Sequence, residues 1–187
     1  RVLLEGTDLL RLREDRMRRL RWASIALVPQ SSMNALNPVH RVGDQIAEAI
    51  RAHRPVSPAA ARRQAENLLQ TVGLDAVRFT SYPHQLSGGQ RQRVVIAMAW
   101  ALQPQVLVAD EPTTALDVIT QHAVVRELIS LRRALGVAIL YISHDISLVA
   151  QTCDRIAVMY AGRLVEVGPT RQVLHRPTHP STMGPRH

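Results

Sequence analysis

VLVADEP, residues 106–112, decides how the rest of this 187-residue chain is read. Four aliphatic residues in a row, Val106 to Ala109, predict a short strand covered on both faces, as in a parallel sheet. The run ends on two adjacent carboxylates, Asp110 and Glu111. Acids delivered by a buried strand are costly unless something cationic meets them. In phosphoryl chemistry the first would hold a magnesium ion, and the second would orient or deprotonate the attacking water. The plainer alternative is an exposed Asp-Glu-Pro turn.

Two further runs resemble it. IALVP (25–29) and VAILYISHD (137–145) are continuous apolar stretches that end in polar residues. Between and after them lie helical patterns: RVVIAMAWALQ from Arg93, and TTALDVITQHAVVRELISLRRALG from Thr113. Buried strands alternating with helices predict an α/β fold, a parallel sheet with helices on both faces. RVLLE (1–5) is a fourth candidate strand, and RIAVMY with RLVEVG, joined across Ala161-Gly162, predicts a terminal hairpin. From Val42 to about Leu74 the texture is helical, with Ser57 as a cap, Pro58 in a first turn and Gly73 after the last apolar residues. The expected organisation is therefore a core of residues 1–41 and 86–187, interrupted by a helical subdomain at 42–85.

HQLSGGQRQRV (84–94) precedes one of those helices. Ser87 stands where the helix should begin, and Gly88 and Gly89 would let backbone N–H groups approach an anion favoured by the helix dipole. Ser-Gly-Gly is equally well a loop and cap, and those three residues do not choose. His144, closing the YISHD strand, would face the ligand edge of an open parallel sheet and donate to a terminal phosphate. Gln30, following IALVP, would offer an amide to magnesium and water. Taken singly, a surface histidine and a surface glutamine explain these two as well.

Composition narrows the classes. All 23 basic residues are arginine, against 15 acids, for a formal net charge of +8. The densest cluster, RLREDRMRRLR (11–21), interleaves acids and apolar residues, and no aromatic lies within it to stack on bases. It reads as an amphipathic helix with a solvated face, and nucleic acid is not an expected partner. No run of eighteen uncharged apolar residues occurs, and the single Cys153 excludes an intramolecular disulfide and a thiolate cluster.

In order and separation, Gln30, LSGGQ (86–90), VLVADE (106–111), ALD (115–117) and His144 resemble the ATP-binding subunit of an ABC transporter. By that resemblance they are the Q-loop, signature motif, Walker B strand, D-loop and switch histidine of a P-loop NTPase-like domain. The likeness implies ATP and Mg2+ as cofactors, Glu111 as catalytic base and His144 as terminal-phosphate sensor. It gives Asp110 and Gln30 to the magnesium shell and Asp117 to a dimer contact. Ser87, Gly88, Gly89 and Gln90 would grip ATP held by a second subunit, because two subunits of this family form a head-to-tail sandwich. PQSSMNALNPVHRVGDQI (29–46), with its Leu-Asn-Pro triplet, SYPHQLSGGQRQRVVIAMA and HRPTHP are similar to the oligopeptide, dipeptide and nickel importer group. That group implies transmembrane permease partners docked on the Q-loop and helical subdomain, a solute-binding protein acting indirectly, and a peripheral position on the cytoplasmic face of the membrane.

One family element is absent from these residues. The phosphate-cradling GxxxxGK[ST] loop has no counterpart, and a chain without lysine contains no cryptic version. The expectation is a fold incomplete at its amino terminus, either working as a subunit that powers peptide or nickel import or as a non-hydrolysing fragment that only donates its signature motif. A chromosome-organising or repair ATPase would need a long coiled coil between Q-loop and signature, where only residues 31–85 lie. A translation-associated relative would be tandem and lack LNPVHRVGDQI.

Overall fold

The computed structural model describes residues 1–30, 35–114, 116–179 and 182. Part of the 29–46 stretch, Ala115 of the ALD triplet and most of the closing STMGPRH therefore lie outside the described residues. The chain forms two compact units, Arg1–Ile142 and Ser143–His187. None of the described helices is long and apolar enough to cross a membrane.

The first unit is built on three parallel strands, β3 (Ile25–Val28), β4 (Val106–Asp110) and β5 (Ala138–Ile142), in that spatial order. VLVAD is thus the central strand, with Leu107 paired to Ala26 and Ile139 and Asp110 opposite Ile142. Alternation decides what each side chain meets. Ala26, Val28, Leu107 and Ala109 point to one face and are buried, whereas Leu27 and Leu140 on the other face are 48% and 56% exposed. The expectation of a buried final strand needs correction here: β5 is apolar in sequence but lies at the sheet edge, where Leu140 and Ile142 remain open.

The packed face is covered by α4 (Gly88–Trp100), whose Val94, Val95, Ile96, Ala97, Ala99 and Trp100 are buried. On it rest α2 (Val42–His53) and α3 (Pro58–Thr71), which share one hydrophobic cluster with β3, α4 and β4 through Val42, Ile46, Ile50, Ala61, Ala65 and Leu69. Ser57 caps α3 by accepting from the Ala60 amide, Pro58 takes its first position, and Gly73 turns out of it at φ +69°. Gly43 is needed for closeness, since a Cβ there would overlap the ring of buried Phe79, which Arg62 covers at 4.6 Å. Two arginines tie the 42–85 segment to α4 and the turn that follows it. Arg54 donates to the Leu102 carbonyl (2.9 Å), and Arg93 donates to those of Val72 and Gly73 (3.3 and 3.2 Å).

The remaining differences from expectation are local. RVLLE supplies only a two-residue strand, β1 (Leu3–Leu4), paired antiparallel with β2 (Thr7–Asp8) and outside the parallel sheet. The arginine-rich segment is helical as expected, but only as α1 (Glu14–Leu20). α5 spans Val118–Leu135 instead of starting at Thr113, because Asp117 caps it and Pro112 opens a turn ahead of it. It ends on Gly136 in the left-handed region.

In the second unit, α6 (Ile146–Thr152) is capped by Asp145, which accepts from Ser147 and Leu148. The expected hairpin is β6 (Arg155–Tyr160) and β7 (Arg163–Pro169), reversing at Ala161 and Gly162, both with positive φ. α7 (Thr170–His175) follows, and Glu166 holds the chain beyond it by accepting from the Thr178 and His179 amides.

Candidate functional site

The carboxyl ends of β3 and β4 are neighbours because their strands are, and this brings Gln30 to Glu111. The Gln30 amide donates to Glu111 Oε2 at 2.8 Å, joining segments 81 residues apart. The same oxygen accepts from the Thr114 hydroxyl at 2.9 Å. Glu111 is held from its backbone as well. Its amide donates to the Ile142 carbonyl of β5 (2.9 Å), its carbonyl accepts from Thr114 N (3.1 Å), and its φ is +42°. A glutamate in the left-handed region costs about 1–2 kcal/mol relative to ordinary backbone, which the turn and the two side-chain donors must offset. The result is a carboxylate fixed just past the sheet, beside Asp110 at the last position of β4. Thr114 was not singled out from the sequence; its signal is the Glu-Pro-x-Thr spacing, which closes a turn with a hydroxyl on the acid.

The second cluster is the start of α4. Ser87 is the cap: its Oγ accepts from Gln90 N (3.3 Å), and its own amide donates to Gln90 Oε1 (3.1 Å). Of the two readings of Ser-Gly-Gly, the cap is therefore realised, and it leaves the anion reading open. Gly88 and Gly89 are the first two helical residues, whose N–H groups have no acceptor within a helix. A Cβ on Gly89 would lie 2.5 Å from Thr120 Cγ2, so α5 begins in direct contact with this turn.

Asp117 accepts from both the hydroxyl (2.6 Å) and the amide (3.0 Å) of Thr120. Those bonds, the hydroxyl's first, hold its carboxyl below the usual carboxylate range. Gln121 steadies the preceding loop by donating to the Thr113 carbonyl (3.2 Å). His144 belongs to the second unit, where it is exposed and immediately precedes the Asp145 cap. Among the described residues no group of three or more His, Cys, Asp or Glu is placed to hold a metal by itself.

A family model described as ABC transporter matches residues 1–114. The chain belongs to the ABC transporter family. It is 49% identical over 185 residues to the probable D,D-dipeptide transport ATP-binding protein DdpD of Escherichia coli (strain K12), covering 98% of this chain and 56% of that protein. Against the oligopeptide transport ATP-binding protein OppD of Bacillus subtilis (strain 168) it is 44% identical over 185 residues, covering 98% and 52%. This ABC chain thus spans about half the length of the curated relatives it matches, and they belong to the peptide-import group that the Leu-Asn-Pro stretch resembled. Among solved structures it is similar to the dimeric ATP-binding cassette MJ0796 in a post-hydrolysis state bound to ADP and Pi. That likeness has a TM-score of 0.77 and 28% identity, over 90% of this chain and 72% of that one. It also resembles cbiO1 of Clostridium perfringens, part of an ABC transporter complex, with TM-score 0.78, 26% identity and coverage of 91% and 66%.

Proposed function

We propose that this ABC chain is part of the ATPase that powers a peptide importer, working as one of two cassettes beneath a membrane permease. The observation that carries this reading is the 2.8 Å hydrogen bond from Gln30 to Glu111, which puts the Q-loop amide on the carboxylate that follows the Walker B strand. Glu111, oriented by Gln30 and Thr114, takes the proton of the attacking water. His144 donates to the terminal phosphate. Asp110 and Gln30 would hold a magnesium ion through their side-chain oxygens, leaving room for the waters and phosphate oxygens such an ion usually retains. Bound there, magnesium would neutralise charge developing on the transferred phosphoryl group. Ser87, Gly88, Gly89 and Gln90 grip the phosphate of an ATP held by the second cassette, and Asp117 contacts that cassette. The helical subdomain and Q-loop receive the permease, and the likeness to dipeptide and oligopeptide transport proteins favours a peptide cargo.

The 187 residues hold no GxxxxGK[ST] loop and no lysine. A second reading is accordingly favoured for this chain by itself: it lends its signature motif to a partner and hydrolyses nothing alone. Mixing the chain with a cassette whose own signature serine has been replaced tests this. Recovered ATPase activity is expected, and none at any mixing ratio would sink it.

A further inference from the structure

Thr120 faces two groups at once. Its hydroxyl and amide hold the two oxygens of Asp117, at 2.6 and 3.0 Å, while its Cγ2 fills the space that a side chain on Gly89 would occupy. As the third residue of α5, Thr120 has an N–H with no acceptor inside the helix, so its bond to Asp117 exists only while the cap is intact. Gly89, as the second residue of α4, has an N–H likewise without a partner in its helix. The start of α4 is itself stiffened by the Ser87–Gln90 box. Two capped helix starts therefore meet where the Thr120 methyl lies against Gly89.

We propose that Thr120 is a positioning residue that latches the Asp117 cap to the first turn of the signature helix. The inference rests on the reading of Ser87–Gln90 as a phosphate grip and of Asp117 as a cassette contact. Because Thr120 fits against Gly89 with no room to spare, Asp117 cannot shift without moving Thr120, and Thr120 cannot shift without releasing or pressing Gly89. A displacement of Asp117 by a second cassette thus reaches the Gly88 and Gly89 amides through one side chain. In the other direction, a phosphate seated on those amides fixes where Asp117 stands. The hydroxyl serves Asp117 and the methyl serves Gly89, which is why serine, valine and alanine at position 120 differ in what they break.

The test is a repacking pair read by amide hydrogen exchange on the 187-residue chain. Gly89→Ala places a methyl against Thr120 Cγ2 and should lower the protection of the amide at position 120 roughly fivefold, the worth of a lost cap. Adding Thr120→Ser deletes Cγ2 but retains the hydroxyl, and should restore protection to within about twofold. Thr120→Val alone keeps the methyl and loses the hydroxyl, so protection at 120 should fall while amides in α3 and β4 stay unchanged. Unaltered protection in Gly89→Ala, or no rescue by Thr120→Ser, overturns the latch. This readout needs no nucleotide, so it is separable from the functional reading. In mixtures with the signature-defective cassette, Thr120→Ala should lower kcat with little change in KM for ATP. Unchanged kcat would refute the coupling to turnover, while a mixture in which even the unaltered chain recovers no activity refutes the functional reading and leaves the exchange result to decide the latch.

Discussion

Replacing Ser87 should separate its role as a helix cap from its role as a phosphate contact. In Ser87→Ala, Gln90 N loses its acceptor at 3.3 Å, and the return bond from Ser87 N to Gln90 Oε1 at 3.1 Å loses its anchor. Both bonds are long and at an exposed helix end, so the expected cost is about 1 kcal/mol, below the upper range of cap deletions. With a urea dependence of about 2 kcal/mol/M for a protein of this size, the midpoint should fall by about 0.5 M. Trp100 is a suitable reporter, since it lies at the far end of the same helix and is 4% exposed. Ser87→Asp is the informative contrast. Aspartate caps as well as serine, so the midpoint should stay within about 0.2 M. Its charge would nevertheless stand beside a phosphate, and ATPase activity recovered in the mixed-cassette assay should fall roughly tenfold or more. An unchanged midpoint in Ser87→Ala would refute the capping argument. Full recovered activity in Ser87→Asp would refute the phosphate assignment.

Gly43→Ala should destabilise the first unit by about 2 kcal/mol or more, because its methyl overlaps Phe79 and that ring is confined between Gly43 of α2 and Arg62 of α3; an unshifted urea midpoint would show that Phe79 has room to move. Asp117 has a folded pKa below its ordinary value, so its contribution is present in full above the ordinary carboxylate range and is lost as pH falls through the folded value. The stability difference between the chain and Asp117→Asn, followed from pH 7 into acid, should therefore shrink, and a constant difference would contradict the Thr120 bonds. Titrated alone with Mg-ATP, the 187-residue chain should bind far more weakly than micromolar and turn over none; micromolar affinity in calorimetry would overturn the requirement for a second cassette.

The sheet and most helices were legible because their signals are local. VLVAD and IALV are too short and too apolar to be anything but strands, and Ser57, Pro58 and Gly73 punctuate α3 at the positions their chemistry favours. β5 misled for a physical reason: an apolar run records affinity for a covered face, and whether this part of the chain covers it is a tertiary fact. The same holds for Glu111. Its place after the central strand can be read from VLVADEP, but its left-handed backbone and its two donors depend on where Gln30 and Thr114 arrive. Thr120 carried no motif at all, since a methyl against a glycine becomes visible only once α4 and α5 are packed.

The open side of the sheet also governs how this chain behaves in a tube or a cell. Among the described residues nothing pairs with the outer edge of β5, and its Leu140 and Ile142 are exposed. Such an edge carries no charge or proline to turn away a stranger, so every copy offers its neighbours a template for strand addition. Dilution, chaperones and proteases then compete for the same surface. Self-association of the chain should accordingly grow with its concentration.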